Sequence, residues 1–259
     1  MESASPGSAP ALPARDRLTL LATLVALAAL AWAYLWWAPM PMPATSGGLR
    51  TVHYALLTFL MWLVMMAGMM MPSVAPTVLL FDRVARRAAA GGTPPRTMAF
   101  VAGYLLVWLG FSVAATVLQV ELIAAGWIDA MGVTARPWLT SGLLLAVGIY
   151  QWLPAKRACL DHCRSPAEFL VTAYRPGAIG ALRMGLQHGL YCLGCCWALM
   201  LLLFVGGVMN LLWVAVIAAV VFAEKLLVHG DWLRRLIGIA AVLAAVSVPV
   251  FHSFHIAAQ

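Results

Sequence analysis

The chain has 259 residues, of which 64% are hydrophobic and 10% charged, and its mean hydropathy is +0.93. Soluble domains carry about 25% charged residues, so this composition excludes an ordinary water-soluble enzyme. The net charge of +7 does not point to nucleic acid, because the basic residues lie between apolar runs instead of clustering with aromatics on a polar surface. Backbone groups in lipid must be satisfied internally, which leaves helices or closed barrels. The runs here are continuous and about twenty residues long, the length of a helix, with no strand-like alternation.

Residues 1–17 are rich in Pro, Ala and Ser and read as a disordered cytoplasmic N-terminus. The first apolar run, 18–38, ends in bulky Trp36 and Trp37 before Pro39, without a small-residue cleavage pattern, and reads as a retained helix. Further runs lie at 52–72, 98–118, 138–153, 190–208, 211–228 and 236–254. The expectation is an all-α, polytopic transmembrane helix bundle of about seven spans, forming one domain over 18–254 with a short external tail at 255–259. Of the sixteen Lys and Arg residues, all but Arg50 and Arg136 then fall on one side, which sets an N-in, C-out orientation. Trp36, Trp37, Trp127, Trp138 and Trp152 stand near span ends, where indoles anchor at the membrane interface.

The five cysteines form two matching motifs. Cys159-Leu160-Asp161-His162-Cys163 lies in the basic fourth-to-fifth connection, and Cys192-Leu193-Gly194-Cys195-Cys196 opens the fifth span. Each places soft ligands at i, i+3 and i+4, on one helical face. His188, one turn before Cys192, extends the second face, and His162 lies within the first motif. Reduced thiols beside histidine suit Cu(I) or Zn(II), with copper favoured. The plainer alternatives are helix packing by small cysteines and a closed structural zinc site.

The second span carries Met61, Met65, Met66, Met69, Met70 and Met71 ahead of Pro72 and Pro76. Met65, Met69 and Met70 form a candidate approach for a soft ion, although methionine also serves as an adaptable packing residue. The two prolines are expected to break or kink the helix. Glu224, at the end of the sixth span, reads as a ligand, a partner for His188, a proton carrier or a structural or interfacial charge, whereas Lys225 reads as a snorkelling residue. Glu121 reads as interfacial. His53, His252 and His255 make a weaker set on the opposite side. No phosphate-binding loop, zinc-protease helix, nucleophile elbow or haem-attachment motif is present, so no residue is assigned a catalytic role.

Met61-Trp62 through Met71-Pro72, Tyr150-Gln151 through Arg164, Cys192 through Met200, and Gly206 through Asn210 with Glu224-Lys225 together resemble an uncharacterised family of bacterial predicted metal-binding integral membrane proteins. The resemblance runs from about 55 to 228, leaving the first forty-odd residues and the last span outside the matching motifs. It implies a multi-pass protein of the bacterial cytoplasmic (inner) membrane with a metal site, but no reaction. The resulting expectation is a metal-handling or delivery protein, working in the bilayer with a delivery partner or a membrane enzyme complex. The rival readings are an accessory subunit of such a complex and a membrane thiol oxidoreductase using the cysteine pairs.

Overall fold

The computed structural model describes residues 14–37, 49–87, 94–227 and 231–257. Most of the 1–17 segment, the end of the external tail and His229 lie outside the described residues, as do the side chains of His252 and His255. The fold is all-helical: α1 (Ala14–Trp37), α2 (Leu49–Arg87), α3 (Pro94–Ala124), α4 (Pro137–Trp152), α5 (Pro154–Arg164), α6 (Pro166–Ala173), α7 (Gly177–Leu201), α8 (Leu203–Gly206), α9 (Leu211–Leu226) and α10 (Asp231–Ala257).

The apolar runs fall on helices, the fifth divided between α7 and α8 by a turn at Leu202, and among the described residues five spans are long and apolar enough to cross a membrane: Leu18–Trp37, Val52–Arg86, Pro95–Ala124, Gly177–Gly206 and Asp231–Pro249. The fourth and sixth runs fall on α4 and α9, each of 16 residues. At about 1.5 Å per residue these rise about 24 Å, short of a hydrocarbon core of about 30 Å. Large apolar side chains cover the outside, among them Leu30 on α1, Val117 on α3, Leu212 on α9 and Leu243 on α10. Water does not tolerate apolar surface on this scale.

The most extensive pairings are α3 with α7 and α4 with α10, followed by α1 with α2 and α2 with α3. Small residues make the first of these close. A Cβ on Gly103 would collide with the Leu182 backbone, and one on Gly185 with the Phe100 carbonyl. Small residues at a helix crossing let backbones approach where lipid offers no hydrophobic drive between helices.

One expectation changes. α2 runs unbroken through Pro72 and Pro76, so the break expected there is absent. Within it Ser73 Oγ donates to the Met70 carbonyl at 2.8 Å, and the Ala31 and Trp32 side chains pack on Gly68. The basic connection after the fourth run is helical, in keeping with the one-face spacing of its cysteines. It folds into α5 and α6, capped by prolines at their first turns, and α5 lies against α4, α7 and α9.

Ion pairs fasten α5 to the start of α10 and the end of α9. Arg157 and Arg164 approach Asp231 at 3.8 and 3.6 Å, and Arg164 Nε donates to the Glu224 carbonyl at 2.9 Å. At the opposite end of the bundle, the α3–α4 connection pairs with the α8 region through Thr134 N and the Phe204 carbonyl at 2.9 Å.

Candidate metal centre

The centre forms where the short helices end against the middle of α7. Tyr150, two residues before the end of α4, donates its hydroxyl to the Gly194 carbonyl. Lys225, one residue before the end of α9, reaches Cys192. α7 begins fifteen residues before Cys192, so the cysteines are not at the mouth of this helix, as the apolar run alone suggested, but at the level where its neighbours stop.

Here the two cysteine motifs meet. Cys195 Sγ stands 3.9 Å from Cys163 Sγ across the α5–α7 contact. The Cys159 sulfur lies over Gly194, where an added Cβ would sit 2.6 Å from it, so only glycine admits α5 this closely. Cys195 and Cys196 both turn their thiols toward the Cys192 carbonyl, at 3.1 and 2.9 Å. Cys192, Cys195 and Cys196 are buried, Cys159 and Cys163 partly so, and none forms a disulfide. On α5, burial raises the Cys159 thiol pKa, with Cys195 adding to the effect. Contacts with Cys192 and Cys195, together with burial, hold the Cys163 thiol well above the usual thiol range.

Other groups complete the centre. Cys192 Sγ contacts the Tyr104 hydroxyl at 3.1 Å and the Lys225 ammonium at 3.0 Å. Lys225 Nζ also donates to Ser73 Oγ at 3.1 Å and approaches Met70 Sδ at 3.7 Å. Among Met65, Met69 and Met70, all buried, Met70 is the one whose sulfur touches these groups among the described residues. His188 is 3% exposed, enclosed by the rings of Phe100, Tyr104 and Phe169, and its Nδ1 has no hydrogen-bond partner among the described residues. An unmet buried nitrogen costs about 1–3 kcal/mol, so a vacant donor one turn from Cys192 suits a ligand role. His162 faces elsewhere: its ring stacks on Tyr191 with centroids 4.2 Å apart, and Nδ1 lies 2.8 Å from the Ala158 carbonyl.

Glu224 does not turn to His188. It accepts from Lys156 Nζ at 2.7 Å, with side-chain exposures of 1% for Lys156 and 2% for Glu224. Lys225 does not snorkel, being 8% exposed and directed inward at sulfur. Adjacent helical positions point about 100° apart, which sends the two neighbours to different partners. Tyr104, Ser73, Lys156 and Lys225 were not among the sequence candidates. The available signal was Lys225, which with Glu224 ends an otherwise apolar run and must be buried against a partner or reach water. Among the described residues, no three Cys, His, Asp or Glu side chains already surround a common point as metal ligands do. The sulfurs instead rest on thiol, phenol, carbonyl and ammonium neighbours.

A helical, membrane-compatible bundle with sulfur donors gathered from two separate elements defines a class of metal-handling proteins. The profile of the PpoB2 family of copper chaperones matches residues 59–248, and the chain belongs to that family. No curated protein and no solved structure matches it. The matched region contains all five cysteines, His162, His188 and most of α10, so it reaches beyond residue 228, where the sequence motifs ended, while α1 stays outside. The family favours copper as the ion; nothing in it points to zinc.

Proposed function

We propose that this chain is a membrane-embedded copper chaperone that holds a cuprous ion between α5 and α7 and passes it to a delivery partner or a membrane enzyme. The observation that carries the reading is the 3.9 Å approach of Cys163 and Cys195 sulfurs. With metal–sulfur bonds of about 2.3 Å, that separation corresponds to an S–metal–S angle of roughly 115°, close to a three-coordinate arrangement. Cys159 and Cys192 stand beside the pair as further sulfur donors, and His188 offers nitrogen. Thiolate and thioether donors select Cu(I) over harder ions.

In this reading α4 and α9 cross the bilayer with the five longer helices, giving seven spans, N-in and C-out, in a bacterial cytoplasmic membrane. Local thinning of the bilayer accommodates the two shorter helices. The cysteines then lie toward the cytoplasmic side, where thiols stay reduced. Met65 and Met69 line up behind Met70 on α2 as the approach to the centre. Glu224 acts through Lys156, by holding α5 down on the sulfurs. His162, on the outer face of α5, is available to an incoming donor.

The test is elemental analysis of protein purified anaerobically after copper loading, wild type beside Cys163→Ser/Cys195→Ser. Wild type is expected to keep about one copper per chain more than the double variant, which melts normally. Equal copper in the two proteins would overturn the reading.

A further inference from the structure

The two lysines of this chain lie in opposite chemical settings. Lys156 has a carboxylate, as a buried ammonium normally requires. Among the described residues the partners of Lys225 Nζ are a thiol sulfur, a thioether sulfur and one hydroxyl, with no carboxylate. Sulfur is a poor host for a hard ammonium and a good one for a soft monovalent metal ion. Three different helices, α2, α7 and α9, supply this small pocket, and α3 closes it with Tyr104, whose hydroxyl lies against Cys192 Sγ and the Met70 carbonyl.

We propose that Lys225 Nζ marks a second, inner cuprous site, with Cys192 Sγ and Met70 Sδ as its donors, and that a cuprous ion binds there by taking the place of the ammonium. The proposal rests on the copper reading above and adds a site next to the Cys163–Cys195 pair. Ammonium and Cu(I) each carry one positive charge, so the exchange leaves the charge of a buried region unchanged and avoids the desolvation cost of adding an ion. Cys192 offers the same sulfur to either cation. The displaced ammonium has somewhere to go: Lys225 is the penultimate residue of α9, and its four-carbon stem lets the head swing past the helix end to water. An internal cation of this kind keeps the inner donors satisfied when no metal is bound and disfavours dications, whose arrival would leave excess charge.

The experiment is amine labelling of the wild-type protein in detergent with a water-soluble succinimidyl ester, before and after anaerobic addition of Cu(I), read by peptide mass spectrometry. Lys156 serves as internal reference, since its partner is Glu224. Labelling of Lys225 is expected to rise at least about fivefold relative to Lys156 once copper is bound. An unchanged ratio in protein that demonstrably holds copper overturns the inner site and leaves the Cys163–Cys195 reading standing. A second measurement uses Cys163→Ser/Cys195→Ser protein, in which the outer pair is gone while Cys192 and Met70 remain, titrated against a chromophoric cuprous chelator. Adding Lys225→Gln removes the competing charge and is expected to tighten Cu(I) binding at least about tenfold. Equal or weaker binding overturns the proposal, because Lys225 would then support Cys192 as a donor.

Discussion

Lys156→Met strands the Glu224 carboxylate in a site where its side chain is 2% exposed. Removing one partner of a buried ion pair costs about 3–5 kcal/mol, most of it the unpaired charge left behind. For a chain of this size each kcal/mol corresponds to about 2–4 °C in melting temperature, so a loss of roughly 6–20 °C is expected. The double variant Lys156→Met/Glu224→Gln removes both charges together and is expected to recover most of that loss, because neutral replacements of a buried pair are often well tolerated. Thermal unfolding in detergent, followed by tryptophan fluorescence, measures both. Because the pair joins α5 to α9, the single variant is also expected to let α5 lift, and alkylation of Cys159 and Cys163 should accelerate several-fold. A double variant no more stable than the single one would refute the argument, since the cost would then lie in lost packing of the lysine stem.

Three further outcomes follow from the geometry of the centre. Gly194→Ala places a Cβ 2.6 Å from Cys159 Sγ, where an ordinary contact needs about 3.5–4.0 Å. The sulfur must retreat by about 1 Å at a cost of about 1–3 kcal/mol, with weaker copper retention, and Cys159→Ala added to it should restore the melting temperature. His188→Leu removes an unmet buried nitrogen, so the empty protein is expected to gain about 1 kcal/mol while copper affinity falls about tenfold; unchanged copper retention would remove His188 from the ligand set. Cys159 and Cys163 have raised pKa values and hold their protons at neutral pH, so copper must displace them. Apparent affinity should therefore fall as pH drops, by up to about tenfold per pH unit for each thiol displaced, and loading should release protons into weak buffer. An affinity independent of pH between about 6 and 8 would contradict this.

The sequence makes the helices legible through their apolar runs, because lipid-facing helices need no polar face to interrupt the pattern. α5 and α6 stayed hidden: they are short, α5 carries Lys156, Arg157, Asp161 and Arg164, and its one buried face rests on Lys156, Leu160 and Cys163. The two cysteine motifs were visible as facing sets, since i, i+3 and i+4 spacing defines a helical face whatever that helix packs against. That Cys163 would meet Cys195 depended on how α5 folds back, which spacing along the chain does not encode. Lys225 was misread because a lysine near a helix end has two low-cost options, and only a sulfur pocket built by α2 and α7 decides between them. Lys156 and Glu224 stand 68 positions apart, and each alone resembles an ordinary interfacial charge.

α5 both covers the sulfur centre and supplies two of its five cysteines. An ion held between roof and floor loses part of its coordination shell in the same motion that admits a partner. Under the copper reading, unloading then needs no separate trigger: whatever pulls the Arg157 and Arg164 guanidiniums away from Asp231 weakens the grip and opens the way at once. A recipient protein with an acidic rim around a soft donor would do both, competing for the arginines with its rim and for the ion with its sulfur. Copper would pass by exchange of ligands, never free in solution.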